Sequence, residues 1–204
     1  MITRRDCLTL GAGLFLGGMG GSYLNAKYAP KPKGCKLSGT PLDELHTYLC
    51  AFHVQRDNIK NQVEAHHYCM PLRDGVFQCV VLDSNKAKAK IIGVEYIVSN
   101  EIFQSLSEEE KKYWHPHEYE VASGLLVVPG MTKEEEKQFL QMARTTFGKV
   151  IQTWPDINNS LPLGAPVMMD AFRKDDEIDP ELISKRDKQL NIDTNKIRKE
   201  RADW

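Results

Sequence analysis

Two stretches, Glu64-Ala65-His66-His67-Tyr68-Cys69 and Trp114-His115-Pro116-His117-Glu118-Tyr119-Glu120-Val121, carry four of the six histidines of this 204-residue chain. Neutral imidazole is a ligand for zinc, copper, iron or nickel, and an His-x-His pair on one strand face is a common way to supply two donors. If residues 115–121 are extended, side chains alternate, so His115, His117 and Tyr119 face one way while Glu118 and Glu120 face the other. A bulge would exchange those faces. The candidate metal set is therefore His67, Cys69, His115 and His117, with zinc or another transition metal as the ion. Glu118 or Glu120 is the candidate for proton transfer. His66 and His67 are adjacent and cannot both enter one pocket from regular structure. The competing reading is a buried polar network in which the histidines bond carboxylates and backbone. The sequence contains neither a Ser/His/Asp nucleophile arrangement nor a phosphate loop.

These residues need elements to hold them. From Pro41, Leu42, Leu45, Leu49 and Phe52 recur at helical spacing and predict a helix over about 41–63. On it His46 and His53 share a face with Cys50, where they read as satisfied helix histidines rather than pocket groups. Residues 75–83 and 91–98 are β-branched runs joined by a short polar turn, an antiparallel hairpin. Glu95 interrupts the second run: it is either buried and paired or coordinated, or exposed at a sheet edge. Ser107-Glu108-Glu109-Glu110 is a capping box that starts a short helix ending near Trp114. Residues 118–128 resume a strand pattern. Thr132 caps a second long helix to about 147, and strands follow at 150–154 and 167–172 around a rigid proline loop at 161–166. The expected fold is α+β: a single domain, an antiparallel-rich sheet with packed helices, spanning residues 39–172. Residues 173–204 hold acids and bases in balance with few apolar anchors, and read as a charged tail, either a solvated helix or disordered.

With 27 basic and 28 acidic residues the net charge is −1. No basic block offers the positive surface that nucleic acid requires, so that class of partner is excluded. The five cysteines form no CxxC pair. In an oxidising compartment Cys69 could bridge to Cys79, or Cys35 to Cys50; buried reduced thiols are the alternative. Residues 1–29 have the parts of a signal peptide, and Arg4-Arg5 is similar to a twin-arginine signal, although Cys7 stands where an aromatic is usual. The glycine-rich apolar run disfavours a stable spanning helix. Residues 30–38 form a proline-rich linker. The expected location is exported, either periplasmic or held to the membrane by an uncleaved leader.

Several short runs together resemble one family. They are Glu64 to Cys69, Gln78-Cys79-Val80, Ile92-Gly93-Val94-Glu95-Tyr96, Trp114 to Val121, Ser123-Gly124, Phe147-Gly148-Lys149, Thr153-Trp154 and Leu161 to Pro166. The family is that of the plant oil-body-associated proteins, and the likeness runs from about Gly39 to Phe172. It implies association with oil bodies and lipid stores, and no established enzymatic activity. The leader points to an exported relative, which meets membranes rather than storage droplets. The expected function is a non-enzymatic or weakly metal-binding protein acting near a lipid or membrane surface. A metal-dependent enzyme built on a His115/His117 centre is the alternative.

Overall fold

The computed structural model describes residues 39–204; the expected leader and linker, with Cys7 and Cys35, lie outside the described residues. After a single 3-10 turn at Pro41–Glu44, the chain runs through strands β1 (Thr47–Gln55), β2 (Asn58–Arg73), β3 (Val76–Leu82) and β4 (Ile91–Val98). Helices α1 (Asn100–Ser105) and α2 (Glu108–Lys111) lead to the short strand β5 (His115–Pro116), helix α3 (Glu118–Ser123) and helix α4 (Lys133–Ala143). Strands β6 (Phe147–Gln152) and β7 (Val167–Ala171) precede helices α5 (Pro180–Leu190) and α6 (Thr194–Glu200). The neighbour order is β4-β3-β2-β1-β7-β6, and β4 also pairs with β6, so six antiparallel strands close into a barrel. β5 continues the β7 side of β6, setting His115 opposite Gly148. The expected α+β class holds, and the closed barrel is its specific form. No helix among the described residues is long and apolar enough to cross a membrane.

The helix expected over 41–63 is absent: those residues form the 3-10 turn, β1 and the start of β2. The cause is burial on both faces. Leu49 to Val54 and Val63 to His67 are buried without interruption. One face of β1 looks into the barrel, while Phe52 and Val54 on the other pack with Leu125, Phe172 and Ile178. A strand covered on both sides loses its two-residue period and cannot be told from a buried helix by spacing. The strand expected over 118–128 likewise begins as α3. It ends at Gly124, whose φ of 78° is the left-handed conformation that closes helices. The second long helix forms as α4, with Thr132 and Glu135 making a reciprocal capping box.

The barrel interior is layered. Val63, Ala65, Val81, Val150 and Met169 fill one end. Leu49, Ala51, Cys69 and Cys79 fill the other, closed over by Val121, Leu126, Leu140 and Ala143. Cys69 and Cys79, opposite each other on β2 and β3, form a disulfide, and Cys50 is a free buried thiol. Closing so short a loop stabilises the fold by roughly 2–3 kcal/mol in the chain-entropy account.

Residues 173–204 are no loose tail. Arg186 on α5 is wholly buried and donates to the carbonyls of Gly124 and Leu125 and to the Thr194 hydroxyl. Arg201, just past α6, donates to the carbonyls of Val121 and Leu126. These carbonyls lie at and beyond the C-terminal end of α3, where backbone acceptors lack helical partners. The two guanidiniums fill that gap and pin the segment that carries Glu120. Charge counting along the sequence misses this, because a buried arginine and a solvated one look alike in composition.

Candidate metal centre

Between the two apolar layers lies a polar one. His53 from β1, His67 from β2, Glu95 from β4, His115 from β5 and His117 at the start of α3 are each at most 3 % exposed. Alternation sends His67 inward and its neighbour His66 outward. His53 Nε2 lies 3.0 Å from His67 Nε2, and His67 Nε2 lies 3.1 Å from Glu95 Oε2. The other carboxylate oxygen, Oε1, is 3.3 Å from His117 Nε2 and 3.7 Å from His115 Nε2. The donors form two sets, His53/His67/Glu95 and Glu95/His115/His117, each with its ligand atoms within 4.8 Å of one another.

The local chain explains the convergence. His115 is set by its pairing with Gly148, and the chain then turns into α3, so His117 reaches the same interior from a helix start rather than from an extended run. Gly148 is required here. A Cβ at that position would lie 2.2 Å from Glu95 Oε1, 2.7 Å from His117 Nε2 and 2.9 Å from His115 Nε2. Only a residue without a side chain lets three donors meet against the barrel wall.

One hydrogen-bond chain fixes a tautomer. The carbonyl of Ala143, at the end of α4, accepts from the Thr146 hydroxyl at 2.6 Å. That hydroxyl has spent its proton, so its 2.8 Å contact with His117 Nδ1 is made by an Nδ1–H donating to Thr146 Oγ1. In neutral His117 the lone pair is then on Nε2, aimed at Glu95. Metal-binding histidines are held the same way, with the far nitrogen donating to a second group. A bare imidazole nitrogen facing a carboxylate oxygen is repulsive unless a proton or a cation comes between them. Either a second proton on His117, which then donates to both Thr146 and Glu95, or a bound cation fills that place.

Burial dominates the protonation of His53 and His115. It lowers His53 to about 3 against the pull of Glu95, and together with the neighbouring His117 it holds His115 well below the usual imidazole range. For Glu95 burial alone would raise the carboxyl, but the imidazoles of His67 and His117 outweigh it and hold it well below the usual range. Neutral His53 and His115 beside an ionised Glu95 are the states in which these three groups can ligate a metal ion.

A cavity of about 40 Å³ adjoins this layer, lined by His53, His67, Glu95 and His117 on one side and by hydrocarbon such as Leu49, Phe77, Phe139 and Met142 on the other. Glu120 also lines it, 1 % exposed, with neither carboxylate oxygen hydrogen-bonded. Burial, then the negative charges of Glu95 and Asp170, push this carboxyl well above its ordinary value.

Of the residues singled out by sequence, His67, His115, His117 and Glu120 meet in this region. Two do not serve. Cys69 is tied to Cys79 and has no thiolate to offer. Glu118 is exposed and pairs with Arg144. His53, expected as a helix histidine, is instead an interior donor, while His46 is exposed. His66 belongs to a separate outward cluster in which Tyr48 donates to its Nδ1 and its Nε2 lies 3.1 Å from Glu64. Cys50 stands 3.9 Å from the same Glu64 oxygen, its thiol pushed up to about 12 by burial, and a neutral thiol is a poor ligand. Thr146 and Gly148 carried no signal that spacing could reveal.

The fold and site thus define a small closed antiparallel barrel with a buried four-histidine, one-glutamate cluster. The family described as Protein of unknown function (DUF1264) matches residues 39–204. Oil body-associated protein 1B of Arabidopsis thaliana is 39 % identical over 166 residues, covering 81 % of this chain and 69 % of that protein. Oil body-associated proteins 1A and 2A of Zea mays are 40 % and 42 % identical, covering 79 % and 80 % of this chain and 68 % and 66 % of theirs. The chain belongs to the oil body-associated protein family. No solved structure matches it.

Proposed function

We propose that this protein binds a transition metal inside its barrel and is a metal-dependent enzyme acting on a small molecule. The carrying observation is the orientation of His117: its Nδ1 is committed to Thr146, leaving Nε2 aimed at Glu95 Oε1 across 3.3 Å. Glu95 with His115 and His117 supplies three donors, and His53 with His67 supplies two more from the other carboxylate oxygen. Nitrogen and carboxylate donors of this kind suit zinc, iron, copper or nickel. A bound ion would act as a Lewis acid on a molecule in the adjoining cavity, and Glu120 there is the group placed for proton transfer. Elemental analysis of protein purified without chelators tests the reading. At least one tightly held ion per chain is expected, lost in a His115→Ala/His117→Ala variant that stays folded. Protein that takes up no transition metal after dialysis against zinc, iron or copper overturns it.

A role at a lipid surface is the second reading, drawn from the printed names of the relatives and from one feature of the surface. Leu161 and Leu163, in the loop between β6 and β7, are about 60 % exposed and flanked by proline and glycine. Flotation with anionic liposomes tests it: a Leu161→Ser/Leu163→Ser variant is expected to stay at the bottom while the unaltered protein rises. The Cys69–Cys79 bridge is consistent with the oxidising compartment that export would supply.

A further inference from the structure

Glu120 is an outlier in this interior. Every other carboxylate of the described residues that is buried to the same degree meets imidazoles, as Glu95 does. Glu120 meets no hydrogen-bond partner at either oxygen, yet its side chain is 1 % exposed and lines a cavity walled by the histidine layer on one side and hydrocarbon on the other. An unpaired carboxyl in such a place costs about 1–3 kcal/mol even when neutral. Leucine there would bury no unpaired polar group. The position is therefore explained by something that enters the cavity rather than by the fold.

Size bounds what can enter. A cavity of 150 Å³ is what benzene needs, and a water needs at least about 10–15 Å³. The 40 Å³ here leaves room beside Glu120 for a few small atoms, although the cavity is partly open on its outer side. Chemistry bounds it further. His53, His67, Glu95 and His117 line the cavity, so a molecule that would bind an ion held by them needs a lone pair at that end. At its other end it meets Glu120, which has no lysine or arginine among the cavity-lining residues to keep it charged.

We infer that the cavity binds a small inorganic ligand of two or three heavy atoms, of the azide or peroxide type, held between the metal and a hydrogen bond from Glu120. This rests on the metal reading above. Glu120 is thus a ligand-binding residue, not a fold-supporting one.

Azide binding to the cobalt(II)-loaded full chain, followed by visible absorption, tests the inference. Glu120→Leu is expected to raise the azide dissociation constant at least tenfold. Glu120→Gln, whose amide N–H still donates, is expected to change it less than threefold. Both variants should keep the wild-type cobalt stoichiometry, and Glu120→Leu should unfold at a higher temperature than wild type when stripped of metal. Azide affinity that is the same in Glu120→Leu as in wild type, with cobalt fully bound, overturns this inference and leaves the metal centre standing. Fully loaded wild type that binds no azide overturns it in the same way. Failure of wild type to bind cobalt overturns the metal reading and this one together.

Discussion

Replacing Thr146 by valine removes one hydroxyl, keeps the shape, and should weaken metal binding without touching a ligand. In the native chain the hydroxyl donates to Ala143 O at 2.6 Å and accepts from His117 Nδ1–H at 2.8 Å, which keeps the Nε2 lone pair turned to the cluster. In Thr146→Val, His117 Nδ1–H loses its acceptor in a buried site, and the tautomer with the proton on Nε2, which now bonds Glu95, gains ground. Losing an outer partner of a ligating histidine typically costs 10- to 100-fold in affinity, about 1.4–2.7 kcal/mol. The Ala143 carbonyl keeps the backbone N–H of residue 146 at 2.9 Å, but the buried Nδ1–H of His117 is left unpaired, a stability cost of about 1–3 kcal/mol that must be measured separately. Zinc affinity by competition with a chromophoric chelator, at a pH where wild type is saturated, reads the first effect, and urea unfolding of the stripped protein reads the second. Thr146→Ser retains the hydroxyl and is expected to restore affinity to within threefold of wild type. If Thr146→Val binds zinc as tightly as wild type while its stability falls, the tautomer argument is refuted and His117 is oriented by packing alone.

Three further outcomes follow from the same geometry. Gly148→Ala brings a Cβ to 2.2 Å from Glu95 Oε1 and should abolish metal uptake while costing roughly 1–3 kcal/mol of stability, checked by elemental analysis and thermal unfolding. His53 is lowered from 6.5 to about 3, so between those values the unfolded chain binds the proton that the native chain refuses. This part of the stability is fully present above pH 6.5 and is lost as pH falls toward 3; His53→Leu should flatten the acid limb of a stability-against-pH curve for stripped protein. Arg201→Met removes the guanidinium donor from the carbonyls of Leu126 and Val121, the latter keeping only the 3.3 Å bond from Gly124 N–H, and hydrogen exchange over residues 117–127 should quicken while the β2–β3 hairpin keeps its protection.

Parts of this were legible from residues alone, and the limits have physical causes. The hairpin of β3 and β4 and the capped helix α4 were readable because turn and cap chemistry is local. Glu95 is conspicuous as a charge in an apolar run, but whether it faces the interior depends on barrel closure between β4 and β6, which pairs it with Val150, 55 positions along the chain. His53 was misassigned with its strand, since a strand covered on both faces has no two-residue period to read. His115 and His117 were picked out by composition and placed by the wrong geometry: the turn into α3, not strand alternation, brings them together. The disulfide that removes Cys69 from consideration is one of the two bridges the sequence offers, with reduced buried thiols as the alternative.

The donors are scattered along the chain from His53 to His117 and are assembled only when the ring of strands shuts. An unfolded polypeptide offers no preformed nest for an ion, so capture is coupled to the last, long-range step of folding. On the proposed metal reading, the compartment that sees the barrel close chooses the ion, from whatever is free there. A chain threaded across a membrane before folding and one carried across already folded would acquire their ions from different pools.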